Sequence, residues 1–318
     1  MAIFMFPAER VCPVFWEKCS AASRFYDAFT KFHMNTAPMK QIGFVLCADD
    51  YAMTPAISHA ILALLDVGRI TATGAMTNRP FWPAAAGSLR SFIGAADLGL
   101  HISLTCGAPL TRMPHFAPAG TFPKLKAVLG AGLTGRLPLT EIEAEIEAQI
   151  AAYEERMGRA PDFIDGHQHI HALPGVRRAF AAVLKRRYWV RPPYLRNPAD
   201  SYGAIVARQR HGAKAALLSA LTQPFAARMR ALGFTLNDGF SGYSGFAPEA
   251  DYACDFKSYL IAPGARHLVM CHPGMVDAEL RALDPAVESR AHEFAFFQSN
   301  RFPELCAEAG MTPCRFTA

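Results

Sequence analysis

Eight cysteines (Cys12, Cys19, Cys47, Cys106, Cys254, Cys271, Cys306 and Cys314) include no Cys-x-x-Cys pair. That spacing argues against a zinc knuckle and a disulfide framework, and suits small core residues of a cytoplasmic protein. No apolar run reaches the length of a membrane span, because Gly, Pro or charge interrupts every candidate. There is no basic stripe, no run of like charges and no aromatic-basic interleaving. A net charge of +5 on 318 residues is mild, so nucleic acid is not an expected partner. Internal repeats and low-complexity segments are also missing.

What is present is apolar substance. Hydrophobic residues make up 51% of the chain and charged residues 19%, enough for a sizeable core. Residues 1–38 are aromatic and irregular, interrupted by Glu9, Arg10, Glu17, Lys18, Arg24 and Asp27, and lack the continuous apolar middle of a signal peptide. They are expected to be a non-essential extension, the result of a start mis-assigned upstream. Residues 39–318 contain no dividing linker and are expected to form one domain.

Within that stretch, strand-like and helix-like segments alternate about seven times. Ile42–Cys47 reads as a strand buried on both faces, followed by Ala48-Asp49-Asp50-Tyr51. Thr54-Pro55 supplies a helix start, and Ile57, Ile61, Leu64 and Leu65 its apolar stripe. Strands are expected at 70–76, 96–100, 161–171, 188–191, 234–237 and 267–271. Thr140 and Glu143 form a capping-box pattern ahead of a helix lined by Ile142, Ile146, Ile150, Tyr153 and Met157, which Gly158 ends. A second long helical stretch, 204–232, is expected to break near Pro224, and a last one to run from about 285 to 309. Cys106 to Pro138, rich in Pro and Gly, reads as a long surface excursion.

The alternation implies a parallel sheet. Polar residues capable of chemistry follow the C-terminal ends of the first, third, fourth and seventh strands. A barrel gathers all those ends at one mouth, whereas an open sheet gathers only those near its switch point. A modified (β/α) barrel of about seven parallel strands is therefore expected.

The densest chemistry is Asp165-Gly166-His167-Gln168-His169-Ile170-His171. On a strand, Asp165, His167, His169 and His171 share one face. A lone histidine is usually a satisfied core residue, but this alternation with an aspartate in phase points to a divalent-metal centre. Asp49 and Asp50 can both reach one site only if the strand ends there and the backbone turns. One carboxylate would then serve a metal and the other act as a base. One Asp and two His form a ligand set for Zn²⁺, Mn²⁺, Fe²⁺ or Co²⁺ with positions left open. Spacing leaves open which of His167, His169 and His171 ligates. His101 and His272 gain meaning only through their joint placement.

Together, Ala48-Asp49-Asp50-Tyr51, Gly99-Leu100-His101-Ile102-Ser103-Leu104-Thr105 with Gly107 and Pro109-Leu110-Thr111, Pro161 through Pro174, and Met270-Cys271-His272-Pro273 resemble the YdjC/ChbG-type carbohydrate deacetylases, including their hopanoid-associated HpnK-like members. The resemblance covers about residues 40–316. It implies a modified (β/α) barrel that hydrolyses the acetamide of an N-acetylated amino sugar, a chito-oligosaccharide or a glycolipid headgroup, using one divalent metal (Mg²⁺ or Zn²⁺). It makes Asp50, His101 and His167 the metal ligands, Asp49 the general base and His272 the general acid. Asp165, His169, His171 and Arg191 become supporting or substrate-facing groups.

Phe240, Tyr243 and Phe246, in a loop, are candidates to stack on sugar rings. The family's usual Asp-Asp-Phe-Gly reads Asp49-Asp50-Tyr51-Ala52 here, a departure in the local turn. The expected partner is the sugar substrate, with a homodimer left open. An amidohydrolase-type enzyme acting on another amide or ester would pair His167 with His169 and need a metal-bridging lysine, for which no clear candidate stands out. A non-catalytic metal- or sugar-binding barrel is the third reading.

Overall fold

The computed structural model describes residues 41–187, 190–246, 251–284 and 286–316. The extension expected at 1–38 lies outside the described residues. Seven parallel strands, β1 (Ile42–Tyr51), β2 (Ala72–Ala75), β3 (Asp97–Ile102), β4 (Phe163–Gly166), β5 (Tyr194–Leu195), β6 (Gly239–Ser241) and β7 (His267–Cys271), are ordered β5-β4-β3-β2-β1-β7-β6. An eighth, β8 (Met311–Pro313), pairs with the start of β1 and had no counterpart in the sequence reading. The sheet curls until Leu195 of β5 forms an isolated parallel bridge with Leu236, just ahead of β6. The fold is the expected α/β barrel in modified form.

The helices are α1 (Pro55–Asp66), α2 (Trp82–Arg90), α3 (Leu125–Leu133), α4 (Leu139–Met157), α5 (Val176–Arg186), α6 (Tyr202–Arg208), α7 (Gly212–Ala231), α8 (Tyr252–Tyr259), α9 (Ala278–Leu283), α10 (Glu288–Gln298) and α11 (Arg301–Glu308). Thr54 caps α1, accepting from the Ile57 amide at 3.3 Å, and Pro55 opens its first turn. Such a cap contributes about 1 kcal/mol.

Strand alternation divides the core. Phe44 and Leu46 of β1 pack outward in one large cluster with Ile57, Ile61 and Leu64 of α1. Val45 and Cys47 point inward, joining Phe163, Tyr194, Phe240, Leu268 and Met270 in a second cluster inside the barrel. Two residues further along, the same inward phase belongs to Asp49 on β1, Asp165 on β4 and His272 after β7. The apolar interior therefore hands over to polar groups at the strands' C-terminal ends. Gly99 is in that inward phase on β3, where a Cβ would lie 2.4 Å from the Phe163 ring.

Several boundaries differ from expectation. β4 ends at Gly166, and a 3₁₀ segment (His167–Ala172) follows, with Gln168 (φ 55) and His169 (φ 58) left-handed. The histidines therefore do not alternate along a strand. Leu139 opens α4 without a side-chain cap, so Thr140 lies inside the helix and no capping box forms; Gly158 closes it in the left-handed conformation, as expected. The helical stretch from 204 breaks at left-handed Gln209 and His211 instead of Pro224, which sits inside α7. Pro224 and Ala220 are both exposed there, so water can serve the carbonyl that the proline leaves without a donor.

The strand expected at 188–191 is replaced by Tyr194–Leu195. Val190 and Arg191 lie outside any strand, and Tyr188 and Trp189 lie outside the described residues. Around Leu236 only the isolated bridge forms, and β6 occupies Gly239–Ser241, where the sequence suggests a loop.

Candidate metal centre

At the mouth, β1 breaks its register with β2 between Ala48 and Tyr51, and Asp50 takes φ 70. That turn lets two consecutive carboxylates reach the same site. Oδ1 of Asp50 lies 2.8 Å from Nδ1 of His167 and 3.3 Å from Nε2 of His101. Nδ1 of His101 is bonded to Oδ1 of Asp165 at 2.7 Å, which turns Nε2 toward Asp50. Gly74 leaves room for this pair, since a Cβ there would lie 3.1 Å from Cβ of His101. Ligand atoms of Asp50, His101 and His167 all fall within 4.8 Å of one another.

This trio fits a divalent metal. Two imidazoles and a carboxylate converge, and one imidazole has its other nitrogen held by a carboxylate, as metal-ligating histidines generally do. Burial would lower the pKa of His101, but Asp165 and Asp49 push it up to about 10. Its proton would have to leave before the ring could ligate.

Asp49 stands in a second cluster behind the first. Arg196, fully buried at the end of β5, donates from Nη1 to Oδ2 of Asp49 and from Nη2 to Oδ1, each at 2.6 Å. The same Nη2 lies 2.7 Å from Oδ2 of Asp165 and 3.0 Å from Sγ of Cys47. Cys47, Asp49 and Asp165 also have the spacing of a ligand set, but a guanidinium already occupies their centre. Burial pushes the Asp49 carboxyl up, and Arg196, with His101 and His272, overcomes it and holds the group well below the usual carboxylate range. His272 Nε2 lies 3.8 Å from Oδ2 of Asp49. Burial lowers the His272 pKa to about 4, despite Asp49.

The remaining candidates divide. His169 lines the cavity with its ring edge-on to Phe240 (5.6 Å) and Tyr243 (5.8 Å). His171 does not reach the cavity: its Nε2 is bonded to the Arg196 carbonyl at 2.9 Å, and its ring is wedged against Phe180 and Phe225. Burial lowers its pKa to about 4. Phe240 is fully buried beneath His169 and Arg196, so it cannot stack on a ligand. Tyr243 and Phe246 do face the cavity.

Arg191 is exposed and lines a separate cavity of about 670 Å³ with Arg159, Tyr194 and Phe316, near the strands' N-terminal ends. Pro192 and Pro193 precede β5, so its far end delivers Arg196 instead. Sequence reasoning missed Arg196 and Arg290, whose only signals were a polar residue directly after a short apolar run and an Arg-x-x-Glu pair (Arg290, Glu293) in a helical stretch. The cavity itself is about 270 Å³, walled by these polar groups and by Leu125, Leu218, Tyr243, Phe246 and Met270. Lys214 also lines it, donating to the Ser244 carbonyl at 3.0 Å with its Nζ over the Phe246 ring.

The family model of YdjC-like proteins matches residues 43–308. The chain belongs to the YdjC-like family. Among relatives of this YdjC-like chain, a protein of Klebsiella pneumoniae named chitooligosaccharide deacetylase is 30% identical over 234 residues, 73% of this chain and 82% of that protein. A mouse protein named carbohydrate deacetylase is 32% identical over 165 residues, covering 50% of this chain and 52% of the relative. The chain thus spans about half the length of the first curated relatives it matches. A solved structure from Enterococcus faecalis, described as a candidate cellobiose-phosphate cleavage protein, shares the fold, with a TM-score of 0.67 at 20% identity over 87% of this chain and 98% of that one. Among the described residues, no helix is long and apolar enough to cross a membrane.

Proposed function

We propose that this YdjC-like chain is a hydrolase of a linear amide bond, removing the acetyl group from an N-acetylated amino sugar to give free amine and acetate. The observation that carries the reading is the meeting of Asp50, His101 and His167 with Asp49 and His272 in one cavity at the strands' C-terminal ends. The names of the mouse and Klebsiella relatives support the sugar and the reaction. A volume of about 270 Å³ falls just under the roughly 300–1,000 Å³ of small-molecule sites and suits one sugar ring with its acetamide.

Asp50, His101 and His167 would hold the metal, and two imidazoles with one carboxylate suit Zn²⁺ better than oxygen-loving Mg²⁺. When bound, a divalent metal supplies a Lewis acid for the acetamide carbonyl and lowers the pKa of water toward neutrality. Asp49, kept ionised and fixed in orientation by Arg196, takes a proton from the attacking water. His272, neutral at pH 7 and 3.8 Å from Oδ2 of Asp49, receives that proton once the pair tightens to hydrogen-bond distance around the substrate, and delivers it to the departing nitrogen. The balance closes: hydroxide joins the acetyl carbon, the C–N bond breaks, and the proton ends on the amine. His169, Tyr243 and Phe246 face the sugar. A cytoplasmic setting belongs to this reading, supported by the unpaired state of six described cysteines.

The test is acetate release from a panel of N-acetylated sugars, including chitobiose and a glucosaminyl lipid, with metal-free and metal-reloaded protein side by side. Release that returns with metal and vanishes in His167→Ala is the expected result. No release from any sugar by protein that holds metal would overturn the reading.

A further inference from the structure

One buried charge in the cavity wall plays no part in the reaction above. Arg290 projects from the first turn of α10 and is 1% exposed. Its Nη2 donates to Oδ2 of Asp50 and to Oδ2 of Asp284, each at 2.6 Å. Its Nε donates to the Ala286 carbonyl at 3.1 Å, which fixes the plane of the guanidinium. The Asp50 carboxylate is therefore divided. Oδ1 faces His167 and His101, while Oδ2 is held by Arg290.

We propose that Arg290 is a positioning residue that makes Asp50 a ligand through one oxygen only. The inference rests on the metal reading of Asp50, His101 and His167. A carboxylate can approach a cation with one oxygen or with both, and the second oxygen fills a position that water or substrate would otherwise use. A charge-assisted bond in a buried setting is among the stronger polar contacts, and rotating the carboxylate would break it. Asp284 accepts from the same Nη2 and the Ala286 carbonyl from Nε, so Arg290 has anchors besides Asp50. Glu293, one turn along α10, accepts the His272 amide at 2.6 Å. A single helical turn thus braces the carboxylate at the end of β1 and the residue that follows β7.

The test is the visible absorption of the Co²⁺-loaded protein, which weakens as the coordination number of cobalt rises. Wild type, Arg290→Met and Arg290→Lys would each be checked for folding by circular dichroism and thermal melting before metal is added. Arg290→Met is expected to bind Co²⁺ but to absorb at roughly half the wild-type intensity or less, as Asp50 chelates with both oxygens. Arg290→Lys, which keeps a cationic donor for Oδ2, is expected to restore the wild-type band. A purely structural arginine would lower the melting temperature and leave the band unmoved, and that result would overturn the proposal. Should Arg290→Met not fold, Asp284→Asn decides: a weaker band supports the assignment, and an unchanged one refutes it. Wild-type protein that takes up no Co²⁺ would sink the metal reading along with this one, whereas an unchanged variant sinks this one alone.

Discussion

Asp49 and Asp50 are chain neighbours, equally buried, and each is bonded to a buried arginine. Their surroundings nevertheless assign them different work. Both oxygens of Asp49 are gripped by Arg196, which also serves Asp165, so the group is ionised and oriented, with a guanidinium standing where a second cation would otherwise sit. Only one oxygen of Asp50 is taken by its arginine, and the other is left among imidazoles. Identical side chains at adjacent positions are thus told apart by how many of their lone pairs the protein has already used. The positive φ at Asp50 makes the contrast possible, because consecutive strand residues would otherwise face opposite ways.

The sharpest way to break this contrast is to neutralise each carboxylate in turn. Asp49→Asn is expected to lose on the order of 10³-fold or more in turnover while keeping its metal content. Asp50→Asn should lose both, as measured by acetate release and elemental analysis. Metal lost from the Asp49 variant and kept by the Asp50 variant would reverse the assignment.

The arginines come next. Arg196→Met leaves Asp49 and Asp165 buried together without a cation, and should cost about 3–5 kcal/mol in urea unfolding of the metal-free protein. Arg290→Met should cost less, because Asp284 is partly exposed (14%) and Asp50 retains its imidazoles. Equal losses would remove the distinction.

The smallest effect concerns protons. His101 has a folded-state pKa raised from 6.5 to about 10, so the metal-free protein holds that proton at pH 7–9, and a metal must displace it. Apparent metal affinity should therefore rise with pH, by up to about tenfold per unit over this range. By the same shift, the stability that His101 gives the metal-free fold is complete below pH 6.5 and is lost as pH rises through about 10. Calorimetry in buffers of different ionisation enthalpy would count the released proton. Asp49→Asn removes one of the charges that raise His101, and should flatten the dependence.

How much of this was legible depended on what each residue's neighbours reveal. β7 was read to the residue, and β1 and β3 nearly so, because strands buried on both faces are unbroken apolar runs bounded by polar ones. The histidine segment misled because strict alternation is also what a chain shows when it leaves a strand through left-handed residues, and φ is not written in hydrophobicity. His167 still arrives beside Asp50, because it directly follows the end of β4 and precedes the left-handed residues. Arg196 and Arg290 were invisible for a different reason. Arginine is usually solvated, and nothing in a local window tells which one meets a carboxylate 147 or 240 residues away. The place of Arg191 was misjudged because β5 starts after its two prolines, which moved the mouth-facing position to Arg196.

β5 is only two residues long, and Arg196 directly after it adds to its hold on the barrel, its guanidinium reaching β1 through Asp49 and β4 through Asp165. The side chain proposed to accept the proton is therefore also a fastener of the strand ring. For a lineage drifting away from this chemistry, Asp49 could decay and leave Arg196 paired with Asp165, whereas Arg196 could not decay first without stranding two buried anions. Descendants that abandon the reaction should have lost Asp49 before Arg196, leaving an arginine held by Asp165 as the trace of lost activity.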